Sequence, residues 1–143
     1  MPVIIGLDVG SKTIGIAYSD PRGQFGVPGQ TYWRQPGHRK DIAFLRTQVR
    51  DHEAGMIVVG LPRNEDGSDS NQTRSVREFV SVLEKGVSVP VVFQDEYLST
   101  FAAECQLEEA GVPRSKWKEM VDSLAAAEIL NDYLKSTVSV VAE

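Results

Sequence analysis

Three acidic residues are placed where a chain of this kind could do chemistry: Asp8, Glu96 and Asp122. Asp8 lies near the end of a β-branched run, Val3 to Val9, of the type that forms a strand. Glu96 falls just past a second such run, Val89 to Phe93. Asp122 heads a stripe with Ala125, Ala126, Ile129 and Tyr133, spaced as one face of a helix. That stripe is otherwise apolar, and its alanines let a helix approach a sheet closely, so the acid at its head points inward. Asp95 and Glu96 are adjacent in extended chain and face opposite sides, so only one of them can join the others. In an open α/β sheet chemistry gathers beyond the carboxyl ends of the strands. Carboxylates aimed at one spot repel each other, and burying them unpaired is costly, unless a cation neutralises them. Mg²⁺ or Mn²⁺ takes oxygen ligands, and two such ions can activate water on one side of a phosphodiester and stabilise the leaving oxygen on the other. The expected chemistry is hydrolysis without a His, Cys or Ser nucleophile. Each acid also has a plainer reading: Asp8 as a turn former before Gly10, Glu96 as a surface loop acid, Asp122 as a helix N-cap.

The elements that must position these acids can be read in order. Val3–Val9 and Thr13–Tyr18 flank a tight glycine-containing turn and read as a hairpin. A third strand over Val27–Trp33 contains Pro28 and Gly29, which suits an edge. Helical period begins at Arg39, with Ile42, Leu45 and Val49 as a stripe and Gly55 as its stop. Gly55 to Gly60 reads as a buried strand, followed by a polar loop from Leu61 to Asn71. A second helix is expected from Thr73 to Lys85 with Gly86 beyond its end, then the strand Val89–Phe93. Ser99 or Thr100 can cap a third helix ending near Gly111, and the last helix is expected from Val121 to Lys135. The order βββαβαβαα with right-handed crossovers predicts an α/β fold, a five-stranded mixed sheet with helices on both faces. One domain over residues 1–143 is expected, with 138–143 as a loose tail.

The formal charge of -5 is unevenly spread. Residues 1–50 carry seven Lys/Arg against three Asp, whereas the remainder carries eight basic and seventeen acidic residues. A basic patch can survive an acidic total, although ordinary solvated faces would look the same. The lone Cys105 excludes an internal disulfide and, with only two histidines, a zinc centre; it is expected to pack as a small hydrophobe. No run approaches the length of a membrane span and no signal segment opens the chain, so a cytoplasmic protein without a membrane partner is expected. His38 and His52 read as surface or structural, Trp33 and Trp117 as packing residues, and Glu104, Glu108 and Glu109 as a solvated face.

Four segments together resemble the RuvX/YqgF family of bacterial Holliday-junction-resolvase-like proteins. They are Asp8-Val9-Gly10-Ser11-Lys12-Thr13-Ile14-Gly15-Ile16-Ala17, Gly60 to Ser68, Asp95-Glu96-Tyr97-Leu98-Ser99-Thr100 and Val121 to Ala127. The resemblance spans nearly the whole chain. It implies a ribonuclease H-like fold, divalent-metal nuclease chemistry and catalytic, metal-holding roles for Asp8, Glu96 and Asp122. The third motif departs from the family, which usually has Arg where this chain has Tyr97. A cationic contact to substrate is then lost or supplied elsewhere, by Arg63 or by the loop containing Arg114, Lys116 and Lys118. Ser11, Lys12 and Asn64 are further candidates for meeting phosphate, although Asn64 and Asp66-Gly67 equally read as turns and Arg114 to Lys118 as a solvated interhelix loop.

The resemblance implies two alternative substrates, which the same centre would serve equally: a four-way DNA junction, cut symmetrically by a homodimer, and precursor ribosomal RNA at the end of its small-subunit portion. Junction cleavage is the preferred reading. Other classes stay open, namely nucleotide binding through the Asp8–Gly10 turn, as in the sugar-kinase and actin superfamily, and a non-catalytic nucleic-acid or ribosome-binding module.

Overall fold

A computed structural model of the chain describes residues 2–96 and 99–142. The observed order is β1 (Val3–Val9), β2 (Thr13–Ser19), β3 (Gly26–Trp33), α1 (Arg39–Asp51), β4 (Ala54–Pro62), α2 (Asn71–Gly86), β5 (Val91–Glu96), α3 (Ser99–Glu109) and α4 (Arg114–Ala142). The strands form one sheet in the order β3-β2-β1-β4-β5. The β1–β2 and β2–β3 pairs are antiparallel, and β1–β4 and β4–β5 are parallel. The expected mixed sheet is therefore present, with β3 on its edge.

Side-chain alternation divides the sheet into two faces. Ile5, Leu7, Val9, Ile14 and Ile16 point to one side and pack with Ile42, Leu45 and Val49 of α1 and Val76, Phe79, Val80 and Leu83 of α2. Ala17, Val58 and Ile4 point to the other side, against Ala126, Ala127, Ile129 and Leu130 of α4. The stripe predicted from Asp122 onward is thus the one that covers the sheet. Asp8 shares the parity of Ile4 and Gly6, so it belongs to the α4 face.

Several boundaries differ from the sequence reading. The stop after α1 is not Gly55, which lies within β4, but Glu53, whose φ of 52° takes the left-handed conformation. β4 extends through Leu61 and Pro62 because β5 supplies partners for both, Asp95 and Glu96. Pairing also carries β5 on to Glu96, so this acid is the last residue of the strand rather than a loop residue. Gly86 closes α2 instead of following it, and a Cβ there would come within 2.3 Å of Ile42. α4 begins seven residues before Val121, so Arg114 to Lys118 form helix rather than loop. Pro113 immediately precedes it, where a missing backbone donor is tolerated, and its carbonyl accepts from Lys116 at 2.9 Å. At its other end α4 runs to Ala142, into the segment expected as a tail. Tyr97, and the side chains of Ser99 and Thr100, lie outside the described residues.

Candidate active site

Three elements converge on the carboxyl edge of β1. Asp8 pairs across the β1–β2 ladder with Gly15, and both face α4. A Cβ on Gly15 would lie 2.0 Å from the carbonyl oxygen of Asp122 and 3.0 Å from its Cβ. Only a residue without a side chain lets α4 come down this far. Asp122 is fixed there by Thr13, whose Oγ1 donates to its Oδ2 at 2.7 Å. Glu96 arrives from the other side. A Cβ on Gly60 would stand 3.1 Å from the Glu96 Oε2 and 2.4 Å from Ile129. Two glycines, one on each strand beside β1, therefore clear the space into which Asp122 and Glu96 reach.

The electrostatics at Asp8 follow from this crowding. Burial is the main influence holding its carboxyl well above the usual carboxylate range, followed by the negative charges of Glu96 and Asp122. A hydrogen bond to Glu96 acts in the same direction. All of these influences disfavour the charged form of Asp8, and a cation beside it would oppose them. Asp95 points away, is exposed, and meets Arg63 Nε at 3.6 Å. Among the described residues no three His, Cys, Asp or Glu side chains are gathered closely enough to hold a metal ion as they stand.

The candidate phosphate contacts divide into groups. Lys12 and Lys118 line a cleft of about 320 Å³ together with Thr13, Trp33, Val121 and Asp122. Arg63 and Asn64 line another of about 270 Å³ that includes Glu96. Ser11 borders a third, with Lys12, Trp33 and Arg34. Asn64 is also a turn former, because its Nδ2 donates to Ser68 Oγ at 3.0 Å and its backbone bonds Gly67 and Ser68. Arg114 stacks 4.9 Å above Trp117, whose indole N–H donates to Val112 at 2.9 Å. That contact makes Trp117 a packing residue at the start of α4. Lys116 lies exposed on the same first turns and lines none of these clefts.

The family model described as "RuvX: Holliday junction resolvase" matches residues 2–136. The chain belongs to the RuvX family. A protein of Thermoanaerobacter pseudethanolicus named "Putative pre-16S rRNA nuclease" is 42% identical over 134 residues, 93% of this chain and 96% of that protein. A protein of the same name from Listeria monocytogenes is 43% identical over 136 residues, covering 94% and 98%. Among solved structures, Thermus thermophilus RuvC in complex with a Holliday junction substrate aligns with a TM-score of 0.56 at 16% identity, over 95% of this chain and 96% of that one. That likeness identifies the ribonuclease H-like fold. Membership makes the chain a nuclease of the resolvase type, a hydrolase of phosphodiester bonds.

Two features of this RuvX-family site escaped the sequence reading. Arg34 is a buttress: its Nε donates to the fully buried Asp41 at 2.9 Å and its guanidinium to the Gly10 carbonyl at 2.8 Å. The same guanidinium sits 4.9 Å from the Phe79 ring, so α1, α2 and the turn after Asp8 are tied together. Asp41 also accepts from the Gln35 backbone at 3.0 Å. Trp33 was expected to pack, yet it is 56% exposed. His38 and His52 are structural, against Phe79 and Tyr18 respectively. Cys105 is half-buried. No described helix is long and apolar enough to cross a membrane.

Proposed function

We propose that this chain is a divalent-metal-dependent endonuclease that uses Asp8, Glu96 and Asp122 to cut structured nucleic acid, with the four-way DNA junction as its substrate. The observation that carries the reading is the half-buried Asp8 carboxyl at the end of β1, crowded by the negative charges of Glu96 and Asp122 from two separate elements. Such a group is uncomfortable alone and suited to a hard cation, which carboxylate oxygens satisfy. An open set of oxygen donors also fits Mg²⁺ or Mn²⁺, which keep several positions for water and phosphate oxygens. A pair of such ions, when bound, would supply charge neutralisation and a more acidic water at the scissile phosphate. Asp8, whose carboxyl is held above the usual carboxylate range, would be favoured in its charged form by the bound cation. Thr13 would hold Asp122 in one orientation throughout, through its hydroxyl. Lys12, Lys118 and Ser11 on one side and Arg63 and Asn64 on the other would receive flanking phosphates. Arg114 and Lys116 are left to longer-range contacts with the backbone. Two symmetric cuts in a junction require a homodimer with two sites.

A second reading is favoured by the names of the curated relatives: maturation of precursor 16S rRNA, for which one site suffices. The same carboxylates would serve it, and a bacterial cytoplasmic setting suits both. The test gives purified protein, with Mg²⁺ or Mn²⁺, a synthetic four-way junction, a linear duplex and a precursor 16S RNA. Paired symmetric incisions confined to the junction support the first reading. Cleavage of the RNA alone transfers the assignment to the second. No cleavage of any of the three with either ion rejects both.

A further inference from the structure

We infer that Trp33 is an aromatic platform that stacks an unpaired nucleobase of the substrate and sets the adjoining backbone beside the carboxylates; the inference rests on the nuclease reading above. The placement comes from strand pairing. Trp33 is the register partner of Thr13 in the β2–β3 ladder, so both side chains stand on the same face of the sheet, about 5 Å apart at Cβ. Thr13 holds Asp122, and so the indole stands one residue away from the acidic centre. It is a large apolar surface, 56% exposed, at the last residue of an edge strand. Its surroundings are not those of a packing residue. It lines the cleft containing Lys12, Lys118 and Asp122, a second containing Thr31, Ser115 and Lys118, and a third containing Ser11 and Arg34.

Charge complementarity identifies the occupant. Neither Lys12 nor Lys118 enters an ion pair among the described residues. Two uncommitted ammonium groups flanking an exposed indole suit a ligand with a flat apolar face and anionic neighbours. A nucleotide has both, and its phosphates would meet the lysines while its base covers the ring. The face of a base is available only where pairing or stacking is interrupted, at a branch point, a frayed end or a single strand. The platform therefore favours such positions over continuous duplex, in DNA or in RNA. Aromatic stacking reads no particular base, so sequence preference is expected to be weak.

The test measures binding without divalent ions, so that cleavage plays no part. A Trp117→Phe background leaves Trp33 as the sole indole, there being two tryptophans in the chain. Its fluorescence should be quenched by single-stranded and forked oligonucleotides, and much less by a duplex closed by hairpin loops at both ends whose loops are abasic. Independently, anisotropy of a labelled fork should show Trp33→Ala binding about 5- to 150-fold more weakly, the range expected for loss of one stacked base. Trp33→Phe should recover most of that loss. Lys12→Ala and Lys118→Ala should each lower the salt dependence of binding by roughly one ion. DNA and RNA forks of one sequence, run side by side, show which backbone the site prefers. Unchanged fork binding by Trp33→Ala, or equal quenching by the closed duplex, overturns the inference. Those results leave the nuclease reading intact if wild-type protein still cuts with metal. Absence of any cutting removes that reading, while the binding data still decide the platform.

Discussion

Replacing Gly15 by alanine tests whether the fold is built around the approach of α4 to the hairpin. The added methyl would sit 2.0 Å from the Asp122 carbonyl oxygen and 2.4 Å from its carbonyl carbon. Ordinary contact begins near 3.4 Å, and the obstructing atoms are backbone, so no side-chain rotation relieves the clash. The start of α4 must withdraw by about 1.4 Å, or the β1–β2 hairpin must bend by a similar amount. Overpacking of this kind costs about 1–3 kcal/mol, read as a lower denaturation midpoint. The functional effect should be larger than the thermodynamic one. Asp122 moves with its helix, away from Asp8, and a misplacement near 1 Å can lower a rate by about 100-fold. The assay pairs urea denaturation with metal-dependent nuclease turnover on one substrate, at a temperature where the variant is fully folded. The expected outcome is a folded protein with turnover reduced on the order of 100-fold. Wild-type turnover together with wild-type stability would refute the reasoning, because the methyl would then have found room that the packing denies it.

Asp8→Asn should abolish cleavage yet raise the stability of the metal-free protein. The Asp8 carboxyl is held above its usual value, so its contribution to stability is complete below the ordinary carboxylate range and is lost as pH rises through the raised value. Asparagine removes that loss, and thermal midpoints without divalent ions should therefore exceed wild type at pH 7 and converge with it in acid. Arg34→Ala leaves Asp41 buried without its partner, and should cost about 3–5 kcal/mol in a denaturant titration. The turn after Asp8 should loosen in the same variant, seen as faster amide exchange near Gly10. Arg63→Ala breaks only an exposed ion pair, so stability should change by less than about 1 kcal/mol. Any effect of that variant on the nuclease should appear in KM more than in kcat.

The features legible in the sequence were those with a short-range signature. Asp122 could be assigned to a sheet-covering face because Ala125, Ala126 and Ile129 recur with helical period, and that face is where α4 packs. Alternation likewise put Asp95 and Glu96 on opposite sides of β5, and it is Asp95 that turns to solvent and Arg63. Misread features depended on distant partners. Nothing local joins Thr13 to Asp122, 109 residues away, although Thr13 shares the parity of Gly15 and so the face of Asp8. The Arg34–Asp41 pair spans a turn with no periodic pattern, and a buried Asp in the first turn of an amphipathic helix was the available clue. The early start of α4 was hidden because Arg114, Ser115 and Lys116 carry no apolar stripe; Trp117 and the Pro113 carbonyl anchor those turns instead. Trp33 was misjudged by the general tendency of tryptophan to pack, whereas its place at the end of an edge strand leaves the ring open.

The most direct measurement is calorimetric titration of Mn²⁺ into the wild-type protein and into Asp8→Asn, Glu96→Gln and Asp122→Asn, each in the presence of a non-hydrolysable substrate analogue. Binding should occur in the wild type with release of a proton and weaken at least tenfold in every variant. Equal Mn²⁺ affinity in all four proteins would mean that these carboxylates do not hold the cation.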